Sequence, residues 1–395
     1  DTRRRIVTMN SATATAVPFR LASLSAAQQS SLNSGWSGVA SPPTSDAVLN
    51  FLRGDKSNEG VNTTSFRTRS HILGDIVYSG AVPVGAPDAP YLDTGIAGST
   101  NPGYNAFKTS KASRAAAVYA GGNDGMLHAF DDTTANGGKE TWAYVPGALF
   151  GAGDPNDSLH TPAPAFQLGA LTYRRGGIPL YSHKFYVNAT PRVADVDFAY
   201  TNTSTPPASG NDWRTILVGG LGAGGRAVYA LDVTDPVGPP PPAASADTEA
   251  SVVTKVLWEY TDANLGYVYD PPTLAKTYAY GWVVLVASGY NNPGGKGFLY
   301  VLNPKSPTKA GQLLAKIPLP ADPGTDVSPT GLSTIRAFTN SRQNPYVLQA
   351  YGGDLKGNVW RFDLSNPDAT RWKAERIATL KDAGLNPQPI TSGVR

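Results

Sequence analysis

Asp195 and Asp197, in the run Ala194-Asp195-Val196-Asp197-Phe198, are the pair best placed to do chemistry in this chain of 395 residues. Alternate side chains of an extended strand share a face, so two carboxylates there could act as acid and base or hold a cation. The same spacing also describes a solvated strand face. Asp232 and Asp235, like Asp131 and Asp132, stand where a strand runs into a turn, and turn chemistry accounts for them. The four histidines, His71, His128, His160 and His183, have no metal-ligand spacing to one another or to a glutamate. His128, between Leu127 and Ala129, reads as a packed or hydrogen-bonded strand residue. Arg53-Gly54-Asp55 spells the integrin-recognition tripeptide, an adhesive site if it is exposed. Its competing reading is structural: Arg53 ends a helix, Gly54 takes the left-handed cap and Asp55 begins the exit.

Other chemistries are excluded by what is missing. With no cysteine there is no disulfide, thiolate nucleophile, iron–sulfur cluster or cysteine–zinc site. No nucleophile elbow or Walker-type loop occurs. The glycine-rich Gly219–Gly225 joins two strands, whereas a phosphate cradle opens a helix. No catalytic or cofactor-binding residue is therefore assigned.

The elements that must position these residues are repeated. Ala115–Asp131 (AAAVYAGGNDGMLHAFD) returns in altered form as Tyr346–Leu364 (YVLQAYGGDLKGNVWRFDL). In each, an apolar run ends in Gly-Gly, a turn follows, and an alternating strand closes on Phe-Asp. Weaker copies are Ile216–Val233 and Val284–Asn303. A third strand follows each hairpin, at Trp142-Ala143-Tyr144, Trp258-Glu259-Tyr260, Leu313–Leu319 and around Trp372, and another precedes most of them, as in Asn188–Asp197 and Leu332–Asn340. The unit is four antiparallel strands. Gly122, Gly220, Gly289 and Gly353 are 98, 69 and 64 residues apart, longer than the roughly 40–50 of a bare propeller blade, so the excess lies in loops. Four-stranded units arranged radially leave only short edges. The expected fold is all-β, a β-propeller spanning 71–395 with four recognisable blades and a further one beginning near 389. Trp142, Trp258 and Trp360 should be buried between blades.

Residues 1–70 read as a separate lead-in with two short helices, around Phe19–Leu32 and Ser45–Arg53, the second capped by Ser45 or Asp46. From Ile72 the pattern is strand-like. Gly147–Pro164 and Val237–Thr248 are low-complexity insertions, expected on the surface. The 41% apolar content is ample for a core, and 42 Gly with 33 Pro require frequent turns. A net charge of +3 comes from scattered Lys and Arg, with no basic block for nucleic acid. No apolar run reaches the roughly 18 residues of a membrane-spanning helix. The start at Asp1 and the end just after Pro389-Ile390-Thr391, which reads as another opening strand, suggest an excised region.

Five motifs in series carry a family resemblance: Phe51–Gly60 (FLRGDKSNEG), Phe66–Gly80 (FRTRSHILGDIVYSG), Val118–Asp131, Ile216–Pro236 and Ala350–Ser365. Over 51–395 the chain resembles the carboxy-terminal region of the PilY/PilC type IV pilus biogenesis and adhesion factors. The resemblance implies a modified quinoprotein-like β-propeller, non-enzymatic, exported to the pilus tip or outer envelope. It would support pilus assembly, retraction control and attachment, with minor pilins, the pilus machinery and a host or surface receptor as partners. A quinoprotein dehydrogenase and an envelope scaffold without a pilus role are the alternatives. The family's calcium loop, alternating carboxylates before the Ala-Tyr-Gly-Gly-Asp strand, is replaced by Thr339-Asn340-Ser341-Arg342-Gln343-Asn344. Calcium takes six to eight oxygens, with carboxylates prominent, so calcium is disfavoured at Thr339, Asn340 and Asn344. Asp195, Asp197, Asp322 and Asp326 are the next places to look, whereas Asp354 is a turn residue.

Overall fold

The repeated hairpins become the middle of four sheets. The computed structural model describes residues 4–37, 39–62, 64–92, 103–151, 168–174, 180–199, 211–238, 249–305, 309–320, 324–339, 343 and 345–393. In chain order the elements are β1 (Ile6–Asn10), β2 (Thr15–Pro18), α1 (Ala26–Asn33), α2 (Ser45–Leu52), β3 (Val82–Val84), α3 (Gly103–Ser110), β4 (Ala117–Gly121), β5 (Leu127–Asp131) and β6 (Glu140–Val145). They continue with β7 (Arg192–Asp197), β8 (Trp213–Gly220), β9 (Val228–Asp232), β10 (Val256–Tyr260), β11 (Thr273–Thr277), β12 (Gly281–Ala287), β13 (Phe298–Leu302) and β14 (Leu313–Pro318). The last four are β15 (Ile335–Thr339), β16 (Val347–Gly353), β17 (Asn358–Asp363) and β18 (Lys373–Thr379). Strands β3–β6, β7–β10, β11–β14 and β15–β18 form four antiparallel meanders. Successive innermost strands β3, β7, β11 and β15 touch in series, so the sheets fan out as consecutive blades.

Position in the fan explains the composition of each strand. β12, Gly281–Ala287, is buried along its whole length because its sheet lies between two others, and a sheet covered on both faces reads as a continuous apolar run. In β17 burial alternates strictly: Asn358, Trp360 and Phe362 face the third sheet, while Val359, Arg361 and Asp363 face away. The glycines of the signature serve close approach. A Cβ on Gly121 would lie 2.4 Å from the Val187 carbonyl oxygen, and one on Gly220 2.5 Å from that of Val268. The chain entering the next sheet therefore crosses directly over the end of the previous hairpin. Ile390 takes the same place over Gly353, and its N–H donates to the Asp354 carbonyl at 2.9 Å.

Tryptophans join the sheets. Trp142 on β6 donates its indole N–H to the Pro236 carbonyl, just after β9, at 3.0 Å. Trp258 on β10 does the same to Pro304, just after β13, at 2.9 Å. Both are fully buried, as is Trp360, which instead donates to Asp354 of its own hairpin at 2.7 Å. At the third junction the ring of Tyr280 packs on the edge of Trp372, centroids 5.5 Å apart, and its hydroxyl donates to Leu314.

The structure corrects the expected lead-in. Residues 1–70 contain two strands as well as helices, and these strands belong to the first sheet. β1 pairs parallel with β6 and antiparallel with β2, giving six strands in the order β2-β1-β6-β5-β4-β3. The sequence shows no alternation at Ile6–Asn10 because both faces are covered; four of the five residues are buried. The cap of α2 is Thr44, whose side chain accepts from the Ala47 N–H, one residue before the expected position. α1 begins with a capping box between Ser25 and Gln28. The strand expected from Ile72 is confined to Val82–Val84; Ile72–Tyr78 is irregular and leaves Val77 and Tyr78 exposed. The Gly147–Pro164 insertion opens with a short helical turn whose Leu149 and Phe150 are buried, while 152–167 and 239–248 lie outside the described residues. No strand forms at Pro389–Thr391.

The tryptophan junction gives a direct stability test. Trp258→Ala should lower unfolding stability by about 3–5 kcal/mol. Trp258→Phe, which keeps most of the apolar bulk but strands the Pro304 carbonyl, should cost about 1–3 kcal/mol. Urea denaturation measures both; a Trp258→Ala protein that melts with the parent would contradict the role assigned to this side chain.

Candidate functional site

The site is built where the lead-in meets the first sheet. There the end of α2, the strap 67–75, the β4–β5 turn and the described residues Leu171, Arg174 and Tyr181 line a cleft of about 910 Å³. The strap is held down by its backbone. The Gly74 N–H donates to Asp124 at 2.9 Å, and the Asp75 carbonyl accepts from the Asn123 N–H at 3.0 Å. Asp75 also receives Asn123 Nδ2 at 2.7 Å and lies 3.1 Å from His183. Burial opposes ionisation of Asp75, but these two partners hold it below the usual carboxylate range.

Behind the strap runs a polar chain. His128 on β5 is fully buried, with Nε2 3.1 Å from Asp124 and Nδ1 2.7 Å from Glu140. Glu140 in turn accepts from Arg4 Nε at 2.8 Å and Nη2 at 2.7 Å. Burial disfavours a charged imidazole, yet the two flanking carboxylates outweigh it and raise the His128 pKa to about 9. Burial likewise opposes the Glu140 charge, but His128 and Arg4 bring its pKa down to about 2. Each donor and acceptor is used within the chain, so the arrangement acts as a clamp between lead-in and sheet. Among the described residues no group of three or more His, Asp or Glu is placed to hold a metal ion.

His128 was expected to be packed or hydrogen-bonded in its sheet, and it is both buried and hydrogen-bonded. Its glutamate partner was missed because linear spacing hides it. The β5–β6 register, in which His128 pairs with Ala143 and Phe130 with Glu140, places His128 and Glu140 on one face, and the hairpin pattern carried that signal.

The other expected positions are dispersed. Asp195 and Asp197 are 6% and 1% exposed, which rules out the solvated-face reading. Each has its own work. Asp195 accepts from Tyr104 and Thr215, both at 2.6 Å. Asp197 accepts the N–H groups of Ala199 and Asp212 at 2.9 and 2.8 Å and so closes the start of β8. Asp326 is exposed and accepts from the Gly294 N–H at 2.6 Å. Asp354 is a turn residue as expected, accepting from the Lys356 and Asn358 N–H groups at 2.9 and 2.8 Å. Thr339 is exposed at the end of β15; Asn340, Asn344, Asp322 and His160 lie outside the described residues. Gly219–Gly225 is the end of β8 and the turn after it, which holds one short 3-10 turn at Gly222–Gly224 and leads into the strand β9.

The tripeptide reading of Arg53-Gly54-Asp55 is corrected. Arg53 is 1% exposed and donates to Glu249, itself 2% exposed, at 3.0 Å, and to the carbonyls of Phe19 and Arg4 at 3.0 and 2.7 Å. A receptor cannot reach a guanidinium committed in this way. Burial and the neighbouring Arg20 charge lower its pKa to about 10 despite Glu249. Gly54, at φ +106°, takes the left-handed cap.

The His128 clamp sets a pH window. A histidine whose folded pKa of about 9 lies above its ordinary value of 6.5 contributes stability that is fully present below about 6.5 and lost as pH rises through about 9. Glu140, lowered from 4.5 to about 2, contributes above about 4.5 and loses this as pH falls through about 2. Melting temperature should therefore decline between pH 7 and 9 in the parent and decline less in His128→Gln; an identical slope in the two would contradict the coupling.

Comparison with known proteins places this geometry. The model of the PilY1 beta-propeller domain matches residues 73–383. The type IV pilus biogenesis factor PilY1 of Pseudomonas aeruginosa strain PAK is 36% identical over 404 residues, covering 99% of this chain and 30% of that protein. A PilY1 homolog of Xylella fastidiosa is 34% identical over 365 residues, covering 88% of this chain and 21% of the relative. The chain thus spans under a third of the length of these curated relatives. The crystal structure of the P. aeruginosa PilY1 C-terminal domain superimposes with a TM-score of 0.53 at 28% identity, covering 78% of this chain and 55% of that one.

Proposed function

The chain belongs to the PilY1 β-propeller domain family, and from that premise we propose that it is the rigid, non-enzymatic body of an exported type IV pilus biogenesis factor. In this reading it acts at the pilus tip or outer envelope, supporting pilus assembly, control of retraction and surface attachment. Its partners are minor pilins and the pilus machinery on one side and a surface receptor on another. The observation that carries the proposal is the extent of the match, which runs from within the strap before β3 to beyond β18 and so includes the four meanders β3–β6, β7–β10, β11–β14 and β15–β18. A fan of sheets is suited to this task because its strands fix the spacing of many loops, and loops are where binding surfaces form. The quinoprotein-like topology is part of the same proposal.

A host lacking its own factor of this class, supplied with the full-length protein that contains this region, should regain surface pili counted by electron microscopy. The same protein lacking residues 73–383 should not. Piliation restored equally by the deletion would overturn the proposal.

The calcium loop implied by the family does not fit this chain. Between Thr339 and Pro345 there is no carboxylate, and neutral oxygens alone poorly replace the hydration of a divalent ion. Any calcium-linked control would use another loop. Calorimetric titration should therefore reveal no micromolar calcium site that substitutions within 339–345 remove; finding one would refute this part of the reading.

A further inference from the structure

We propose that the cleft between the lead-in and the first sheet is a binding site for a peptide carboxylate set beside apolar residues. Its floor and walls include Phe51, Leu52, Leu171, Ile72 and Tyr181. Arginines and aspartates both line it. The acids that line it are already engaged, Asp75 by Asn123 and His183 and Asp124 by His128 and the Gly74 N–H. Arg69 is likewise spent: it pairs with Glu59 at 2.7 Å and donates to the Phe51 and Asp55 carbonyls, both at 2.9 Å.

Two guanidiniums remain with donors to offer. Arg67 uses only Nε, which donates to the Leu171 carbonyl, and among the described residues Nη1 and Nη2 have no hydrogen-bond partner. Its plane is fixed by aromatic contact, with the guanidinium carbon 4.7 Å from the Tyr181 ring centroid and 5.9 Å from that of Phe51. Arg174 donates through Nη1 to the Asn62 carbonyl and has no other hydrogen-bond partner for its side chain among the described residues. Backbone bonds hold the two together. The Arg67 N–H donates to the Thr172 carbonyl at 3.0 Å, and the Tyr181 N–H donates to that of Arg174 at 2.8 Å.

A guanidinium stacked on a ring, with its terminal nitrogens open, is pre-organised for a planar two-oxygen acceptor. The ligand is therefore a carboxylate, and the apolar walls select one carried on a peptide with bulky apolar neighbours. This assignment rests on the cleft's own chemistry and stands whether or not the pilus reading holds.

The test is binding of a fluorescent hexapeptide ending in Leu-Phe-Asp, with its amidated Leu-Phe-Asn counterpart and inorganic phosphate as the other arms. The parent should bind the acidic peptide, and the neutral peptide and phosphate should bind at least about tenfold more weakly. Arg67→Gln and Arg174→Gln should each weaken the acidic peptide by about tenfold or more. Arg67→Lys, which keeps the charge and loses the fork, should also weaken it. Because Arg67 also bonds Leu171, near-UV circular dichroism and melting of each variant establish that it is folded, and Arg174→Gln carries the test if Arg67 variants are not. Equal binding of acidic and neutral peptides, phosphate binding as tight as the peptide, or undiminished binding by the folded variants would each overturn the proposal.

Discussion

An indole N–H that leaves its own sheet to find a carbonyl on the next is the constraint on which this fan of sheets depends. Apolar burial would hold two sheets together at many angles, since it is proportional to area and has no direction. Trp142 to Pro236 and Trp258 to Pro304 supply direction. Each bond spans a buried junction, so losing it leaves a polar group without water or partner. It is also repeated by the same parts, a tryptophan on the fourth strand of one meander and a proline just beyond the third strand of the following sheet. Fixing the angle there lets the crossing chain settle over Gly121 and Gly220, positions where any side chain would collide with backbone.

The lead-in is attached by a different kind of force. Where sheets meet one another the contacts are mainly apolar, but where the lead-in meets them charge pairs are prominent: buried Arg53 with Glu249, and Arg4 with Glu140, which also holds His128. Buried ion pairs are poor sources of net stability because desolvation offsets much of their attraction. They are good at penalising a wrong register, since a misplaced segment leaves an unpaired charge in the interior. β1 must choose one parallel register beside β6, and Arg4, two residues before it, is bound to Glu140 at the start of that strand.

This difference explains what the sequence made legible. The four hairpins, their third strands and the buried tryptophans could be read because apolar alternation and Gly-Gly turns are local signals. β1 could not, because a strand covered on both faces has no alternation and β6, the strand that joins it to the sheet, lies more than a hundred residues away. Nor could the fate of Arg53-Gly54-Asp55, whose helix-ending geometry was visible while the burial of Arg53 depends on Glu249, 196 residues along the chain. Asp195 and Asp197 were readable as a shared face but not as a buried one, since Tyr104 comes from α3, a helix that no capping or periodic signal announced.

The same logic distinguishes the two end sheets. The outward face of the fourth carries Phe338 against Tyr351 and Arg361 paired with Glu375, a mixed surface compatible with water. That of the first carries His128, fully buried, and Glu140, half-buried beside Arg4. Just beyond a strap fastened by hydrogen bonds rather than by a sheet ladder, Val77 and Tyr78 are exposed, because among the described residues no strand covers them. The strap's fixed position nevertheless gives the cleft beside it a defined wall. The polar clamp that secures the lead-in and the cleft that leaves Arg67 open are thus consequences of one arrangement: the Gly74 N–H and His128 occupy Asp124, while Asn123 and His183 occupy Asp75.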